Sequence, residues 1–297
     1  HNYFKQQTMN IKLSEQQISS FDRDGVLLVD QLIDPVLADE IAERYHHLFR
    51  GEFETGVQPD EINWQEGESA EEFTRQICNG WKADRTLASV VLRTDIGKVG
   101  AKLARWPGAR VMQDNVIWKP IGARPLGFHQ DNSYLDWFTP SETLTCWISL
   151  DDTTAEGGTM EVVRGSHRWG KFPMATQFHG PEAYRQDMEA AAKTLGKSPE
   201  IIPIVVPKGG GSFHHGWTWH GSGFNKSKNP RRSLVIHMCS SEARFQKETL
   251  GSGNGSIYAR YHRLSDDIMD ENYFPILWTE NGGRTSSIEH YLNIRRL

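Results

Sequence analysis

A chain of 297 residues, 37% hydrophobic and 24% charged, can bury the core of one large domain or two small ones. Its net charge of −5 gives no global attraction to nucleic acid or an anionic membrane. No apolar run reaches the roughly 18–20 residues a membrane helix needs.

The first eight residues lack the basic-then-apolar layout of a signal peptide. His1 ahead of an internal Met9 reads as a tag remnant, which places the folded chain at 9–297. Residues 14–24 carry a helix start at Ser14, and the apolar run 26–29 follows. Asp34-Pro35 opens a second helix with Leu37, Ile41 and Tyr45 at i, i+4 and i+8. The acidic, turn-rich stretch 54–72 reads as a surface loop, and helical spacing returns over 84–104. This helical part, 9–108, ends at Trp106-Pro107-Gly108.

From Arg110 the period changes to two. Residues 111–119 read as a strand with Gln113, Asn115, Ile117 and Lys119 on one face. Further strands are predicted over 143–150, 160–163, 201–206, 211–219 and 233–238. Gly209-Gly210-Gly211 lacks the Lys-Ser/Thr pair of a phosphate loop and reads as a turn before a strand. A helix is predicted over 181–195, inside an insertion spanning 171–203. Short strands separated by Gly/Pro turns indicate an antiparallel sandwich or barrel, not βαβ units. The fold class is therefore mainly β with flanking helices, in a single domain: core 109–245, C-terminal extension 246–297. Cys78, Cys146 and Cys239 are scattered, without a C-x-x-C spacing, which favours free thiols in a reducing, cytoplasmic compartment.

Two short segments carry the chemistry: Phe128-His129-Gln130-Asp131, and Trp219-His220-Gly221-Ser222-Gly223 followed by Pro230-Arg231. In one extended strand His129 and Asp131 share a face, and His220 on a neighbouring strand completes a two-imidazole, one-carboxylate set. Such a set suits a non-haem Fe(II) oxygenase, with coordination positions left open. Arg231 offers a guanidinium fork for the remote carboxylate of a co-substrate. His214 competes for the distal position, being read on the same strand face as His220, while His215 points the other way. The glycine-flanked turn after His220 favours His220. His167 reads as a turn-stabilising residue.

Near the metal, Gln113, Tyr134 and Trp137 are the candidate substrate contacts, with Phe138 beside them. Two rival readings share the triad. One is a zinc hydrolase, the other a jelly roll that binds without turnover. Nothing in the first accounts for Arg231 or the H-G-S-G context, and the intact triad argues against the second.

These motifs, with Trp147 and the run Glu156-Gly-Gly-Thr-Met-Glu-Val-Val-Arg-Gly-Ser-His167, resemble the phytanoyl-CoA dioxygenase family. The resemblance covers about residues 11–245. It implies a double-stranded β-helix (jelly-roll) core and dependence on Fe(II), 2-oxoglutarate and O2. It implies that His129, Asp131 and His220 are iron ligands and that Arg231 pairs with the far carboxylate of 2-oxoglutarate. Ser222, Trp147 and Asn115 fall where the family contacts that co-substrate, and Arg75 is a further basic candidate. The implied reaction releases succinate and CO2 while oxidising an unactivated C–H bond of a small molecule. Because Asp131 is retained, hydroxylation or desaturation is expected and halogenation is not. Family members act on amino acids, osmolytes, phosphonates, alkaloids and polyketides, so the resemblance leaves the primary substrate open, as it does the oligomeric state. The insertion 171–203, with 54–72 beside it, is expected to form the substrate mouth.

Overall fold

The computed structural model describes residues 11–294; the tag-remnant reading of residues 1–8 lies outside them. Helix α1 (Glu15–Asp24) starts with a reciprocal capping box between Ser14 and Gln17 and stops at Gly25, whose φ of 71° is left-handed. The chain then enters β1 (Val26–Val29). In α2 (Pro35–Phe49) Asp34 caps the Val36 N–H, and Leu37, Ile41, Tyr45 and Leu48 are buried, the stripe expected from the spacing. β2 (Glu61–Ile62) and β3 (Arg75–Cys78) follow, then α3 (Arg85–Val91) and α4 (Thr94–Ala104). The predicted helical stretch 84–104 is thus two helices, because Leu92 and Arg93 leave helical geometry and Arg93 becomes the extended cap of α4.

The β region runs β4 (Gly108–Lys119), β5 (Leu126–His129), β6 (Phe138–Thr139), β7 (Leu144–Ser149) and β8 (Met160–Val163). After α5 (Gln186–Thr194) come β9 (Ile201–Pro203), β10 (Gly211–His215), β11 (His220–Ser222), β12 (Arg231–Ser240) and β13 (Arg244–Phe245). The chain closes with α6 (Gly255–Tyr258), β14 (Ile276–Thr279) and α7 (Ser287–Asn293). A large sheet has the order β1-β10-β7-β12-β4-β3-β2, with β14 also on β4, and a small sheet has the order β5-β11-β8-β9. All pairings are antiparallel.

Period-two alternation decides what each face of the large sheet does. Cys146 and Ile148 of β7, and Leu234 and Ile236 of β12, pack with the helices in the main core. Trp147 and Val235, one residue out of phase, point the other way and pack with Met160 and Val162 of the small sheet. That second face is where the cavity lies. Tyr45 ties α2 to the sheet by donating to the Ser233 carbonyl at 2.7 Å.

Three elements depart from the sequence reading. The predicted strand 211–219 breaks after His215. A side chain at Gly216 would lie 2.2 Å from Asn132 Oδ1, so glycine lets the chain cross between the sheets there. The loop 54–72 contributes β2, which pairs with β3 and extends the large sheet. The C-terminal extension is integral to the fold. Its Tyr258, Met269 and Phe274 enclose Trp137, Phe138 and Phe245 in a second core.

Candidate metal and co-substrate site

β11 pairs with β5 so that His220 lies directly opposite His129. His129 ends its strand, and Asp131 opens a single 3₁₀ turn (Asp131–Tyr134). The two ligands are therefore not alternate residues of one strand, as the spacing predicted; the turn swings Asp131 round to the same point. Asp131 Oδ1 lies 3.3 Å from His129 Nε2 and 3.2 Å from His220 Nε2. Both Nδ1 atoms are engaged by backbone carbonyls, His129 with Gly127 at 2.8 Å and His220 with Thr218 at 2.9 Å. Each imidazole thus donates from Nδ1 and turns Nε2 towards Asp131, so that Nε2 is the atom left for a metal ion. One donor atom from each of the three residues falls within 4.8 Å of the others. Two imidazoles and a carboxylate, fixed in this way, fit a divalent metal ion.

The second oxygen of Asp131 is held by the protein. Oδ2 accepts from Thr145 Oγ1 at 3.0 Å and from His214 Nε2 at 3.1 Å. His214 thus supports the carboxylate, and it stands on β10 in the large sheet, not on His220's strand. Burial alone would raise the Asp131 carboxyl, but His220, His129 and His214 outweigh it and hold the group well below the usual carboxylate range. Gly221 serves a purpose other than the one its sequence context suggested. A side chain there would press on Phe128 at 2.7 Å, so glycine is needed for β11 to pack on β5.

The same inner chamber, of about 80 Å³, is lined by Trp147, Ser222 and Arg231 as well as by the ligand residues. Arg231 is opposite Lys119 in the β12–β4 register. Its guanidinium donates to Gly158 O at 3.2 Å and Ser233 Oγ at 3.1 Å and lies 5.6 Å from the Trp147 ring centre. Lys119, on the strand face it was predicted to share with Gln113 and Asn115, is fully buried and donates to Ser222 Oγ at 2.8 Å. Burial lowers the Arg231 guanidinium to about 10. Burial, then the adjacent Arg231, pushes Lys119 well below its ordinary value. Neither cation forms an ion pair with an acid among the described residues. Buried, unpaired charge is costly, so this pair is built to receive an anion. Arg232, one residue on, points outward to Asp151 at 2.7 Å, which fixes the strand register.

An outer chamber of about 270 Å³ adjoins the ligands and is lined by Gln113, Asn115 and Tyr134, three of the predicted residues. Asn115 lines both chambers. Two predictions fail. Trp137 is fully buried and stacked on Tyr258 at 4.8 Å, so it is a core residue, as is Phe138; chain proximity to Asp131 misled because the turn ends between them. Arg75 lies over Trp64 at 3.8 Å and pairs with Glu71; it is Gln76, on the other face of β3, that enters the cavity. Sequence reasoning missed His237, Gln76, Phe178 and Asn254, all in the outer wall. Only His237 carried a signal, since it continues the 231, 233, 235 alternation of β12.

The sequence profile of the phytanoyl-CoA dioxygenase family matches residues 21–233. The chain belongs to this family. It is 22% identical over 256 residues to human peroxisomal phytanoyl-CoA dioxygenase, covering 80% of this chain and 71% of that protein. It is 28% identical over 149 residues to a probable alpha-ketoglutarate-dependent hypophosphite dioxygenase of Stutzerimonas stutzeri, half of each chain. Among solved structures, the non-heme alpha ketoglutarate-dependent carbocyclase SnoK superposes with a TM-score of 0.69 at 21% identity, over 90% of this chain and 97% of that one. The enzyme class follows from the family: a dioxygenase that uses Fe(II), 2-oxoglutarate and O2. No helix among the described residues is long and apolar enough to cross a membrane.

Proposed function

We propose that this family member hydroxylates an unactivated C–H bond of a small molecule, converting 2-oxoglutarate to succinate and CO2. One observation carries the reading: a single chamber has three convergent metal donors at one end and, at the other, Arg231 and Ser222, the latter bonded by the buried Lys119, with neither cation in an ion pair among the described residues. A zinc hydrolase has no use for that second end. His129, Asp131 and His220 would hold the iron, which when bound supplies the redox chemistry that couples co-substrate decarboxylation to C–H oxidation. Thr145 and His214 occupy Asp131 Oδ2, keeping the carboxylate turned so that Oδ1 is the ligand atom. Arg231, Lys119 and Ser222 clamp the distal carboxylate of 2-oxoglutarate, and Trp147 walls the chamber along its length. The protein's share of the catalysis is positioning: it fixes the two ends of the co-substrate and presents the target bond beside it.

Anaerobic addition of 2-oxoglutarate to the Fe(II)-loaded protein tests this reading. The weak visible charge-transfer absorption of chelated co-substrate is expected. Tight metal binding with no such absorption at saturating 2-oxoglutarate would refute it.

A further inference from the structure

The outer chamber has a chemistry of its own. Among the described residues lining it there is no lysine or arginine, and its one carboxylate apart from Asp131 is the exposed Glu61 at the rim. Directional hydrogen bonds fix what its walls offer. Asn79 accepts from the Asp114 N–H through Oδ1 and donates through Nδ2 to Asp60 at 2.6 Å and to the Tyr258 hydroxyl at 3.1 Å. The Tyr258 hydroxyl donates to Gln113 Oε1, and Gln113 Nε2 donates to Asn115 Oδ1. Each group is oriented by the one before it, so Asn115 is left with its Nδ2 donor facing the cavity.

A second chain fixes the opposite polarity. Asp131 Oδ2 accepts the Thr145 hydroxyl proton, so Thr145 Oγ1 accepts from His237 Nδ1 at 2.8 Å. His237 Nε2 is then a lone-pair acceptor, with no protein partner among the described residues, on a ring that lines the cavity. His237 is opposite Gln113, and Asn115 is two residues further along the same strand. Donor and acceptor are thus diagonal neighbours on one sheet face, about 7–8 Å apart or less. Across from them Tyr134 and Phe178 stand 6.1 Å apart, both edge-on to His129.

Taking the oxygenase reading as given, we infer that the primary substrate is a neutral, hydroxyl-rich small molecule of the sugar or cyclitol class. One hydroxyl of such a molecule accepts from Asn115 and a neighbouring hydroxyl donates to His237. A carboxylate or phosphate has no proton for His237, and an ammonium has no lone pair for Asn115. Burying an anion here would leave it without a counter-charge. The amide of Gln76, with no side-chain partner among the described residues, supplies a further donor and acceptor, and the C–H face of a ring packs on Tyr134 and Phe178. The absence of cations also disfavours an acyl-CoA, whose phosphates would enter unpaired.

Calorimetric binding to the full chain loaded with Mn(II) and 2-oxoglutarate tests this, using matched probes. Methyl glucosides, methyl galactosides, myo-inositol and sorbitol are compared with gluconate, glucose 6-phosphate, glucosamine and hexanoyl-CoA. At least one neutral probe should bind tenfold or more tightly than every charged probe, and should stimulate succinate formation when Fe(II) replaces Mn(II). His237→Phe should erase that preference, since it removes the acceptor on the cavity wall. Tightest binding by a charged probe or the thioester, or no binding by any neutral probe, overturns the inference. If the charge-transfer absorption is present when that happens, the oxygenase reading survives; if it too is missing, that reading has failed first.

Discussion

At the inner end of the cavity lies the buried Arg231, with Lys119 behind Ser222, and neither makes an ion pair among the described residues; at the outer end no described lysine or arginine lines the wall and amides take over. The inner end draws mainly on β4, β5, β7, β8, β10, β11 and β12 of the jelly roll, and Gln76 of β3 and Phe178 of the insertion line both ends. The outer end alone adds Glu61 and Asn63 from the 54–72 segment and Asn254 and Ile257 from the C-terminal extension. One end is electrostatically unsatisfied and demands a particular charged guest. The other is internally wired and leaves single donors and acceptors showing. The contrast separates the co-substrate, which the scaffold specifies, from the primary substrate, which its additions specify.

The largest effects should follow from the metal end. His129→Ala, Asp131→Ala or His220→Ala should each cut substrate-dependent succinate formation below about 1% of wild type, beyond the roughly 10–100-fold cost of changing a residue that only orients a ligand. Circular dichroism should show an unchanged fold. Full activity in His220→Ala with loss in His214→Ala would exchange the roles of those two residues.

Next comes the co-substrate end. Arg231→Ala removes a desolvated charge-assisted pair, worth about 2–5 kcal/mol. The 2-oxoglutarate concentration for half-maximal rate should therefore rise from about 30-fold to a few thousand-fold. Arg232→Ala, which loses only the outward pair with Asp151, should leave that concentration unchanged. The reverse pattern would break the assignment of the inner chamber.

A smaller effect is expected where Asp131 is steered. Thr145→Val removes one of the two donors to Oδ2, and metal affinity measured by competition with a chelator should weaken by about 10–100-fold. His237→Phe should weaken metal affinity less than Thr145→Val, because His237 bonds Thr145 and stands 3.7 Å from Asp131 Oδ2 without donating to it.

The smallest effect lies outside the cavity and calibrates the others. His215 is lowered from 6.5 to about 4, by burial and then by neighbouring His167. A histidine with a depressed native pKa binds fewer protons folded than unfolded. Its stabilisation is therefore complete above about pH 6.5 and is lost as pH falls through about 4. Discounted for partial exposure, about 1–2 kcal/mol is expected, and melting temperatures across pH 4–7 should fall less steeply in His215→Gln.

The sequence disclosed the inner end because its parts are local. His129 and Asp131 are two residues apart, and the H-G-S-G run and Arg231 come from consecutive strands of the core. The alternation of β4 and β12 also put Asn115, Gln113 and Arg231 on the right faces. What the sequence concealed was non-local. Nothing near Trp137 announces that Tyr258 and Phe274, more than a hundred residues on, enclose it in a core. Nothing near Lys119 shows that Gly158 and Ser222 close over it. The turn at Asp131 and the crossing at Gly216 likewise depend on partners from other segments, Asn132 and Thr143 among them. The predicted mouth was half legible: residues from the insertion and from 54–72 do line the outer chamber, but the C-terminal wall was unforeseen.

The central claim is that the inner chamber binds and decarboxylates 2-oxoglutarate with O2 at the His129, Asp131, His220 site. Its most direct test is turnover under ¹⁸O₂ with Fe(II) and 2-oxoglutarate, followed by mass spectrometry of the succinate formed. Succinate carrying one ¹⁸O atom, formed by the wild type and absent in Asp131→Ala, is the predicted result. Unlabelled succinate, or labelled succinate persisting in Asp131→Ala, would contradict it.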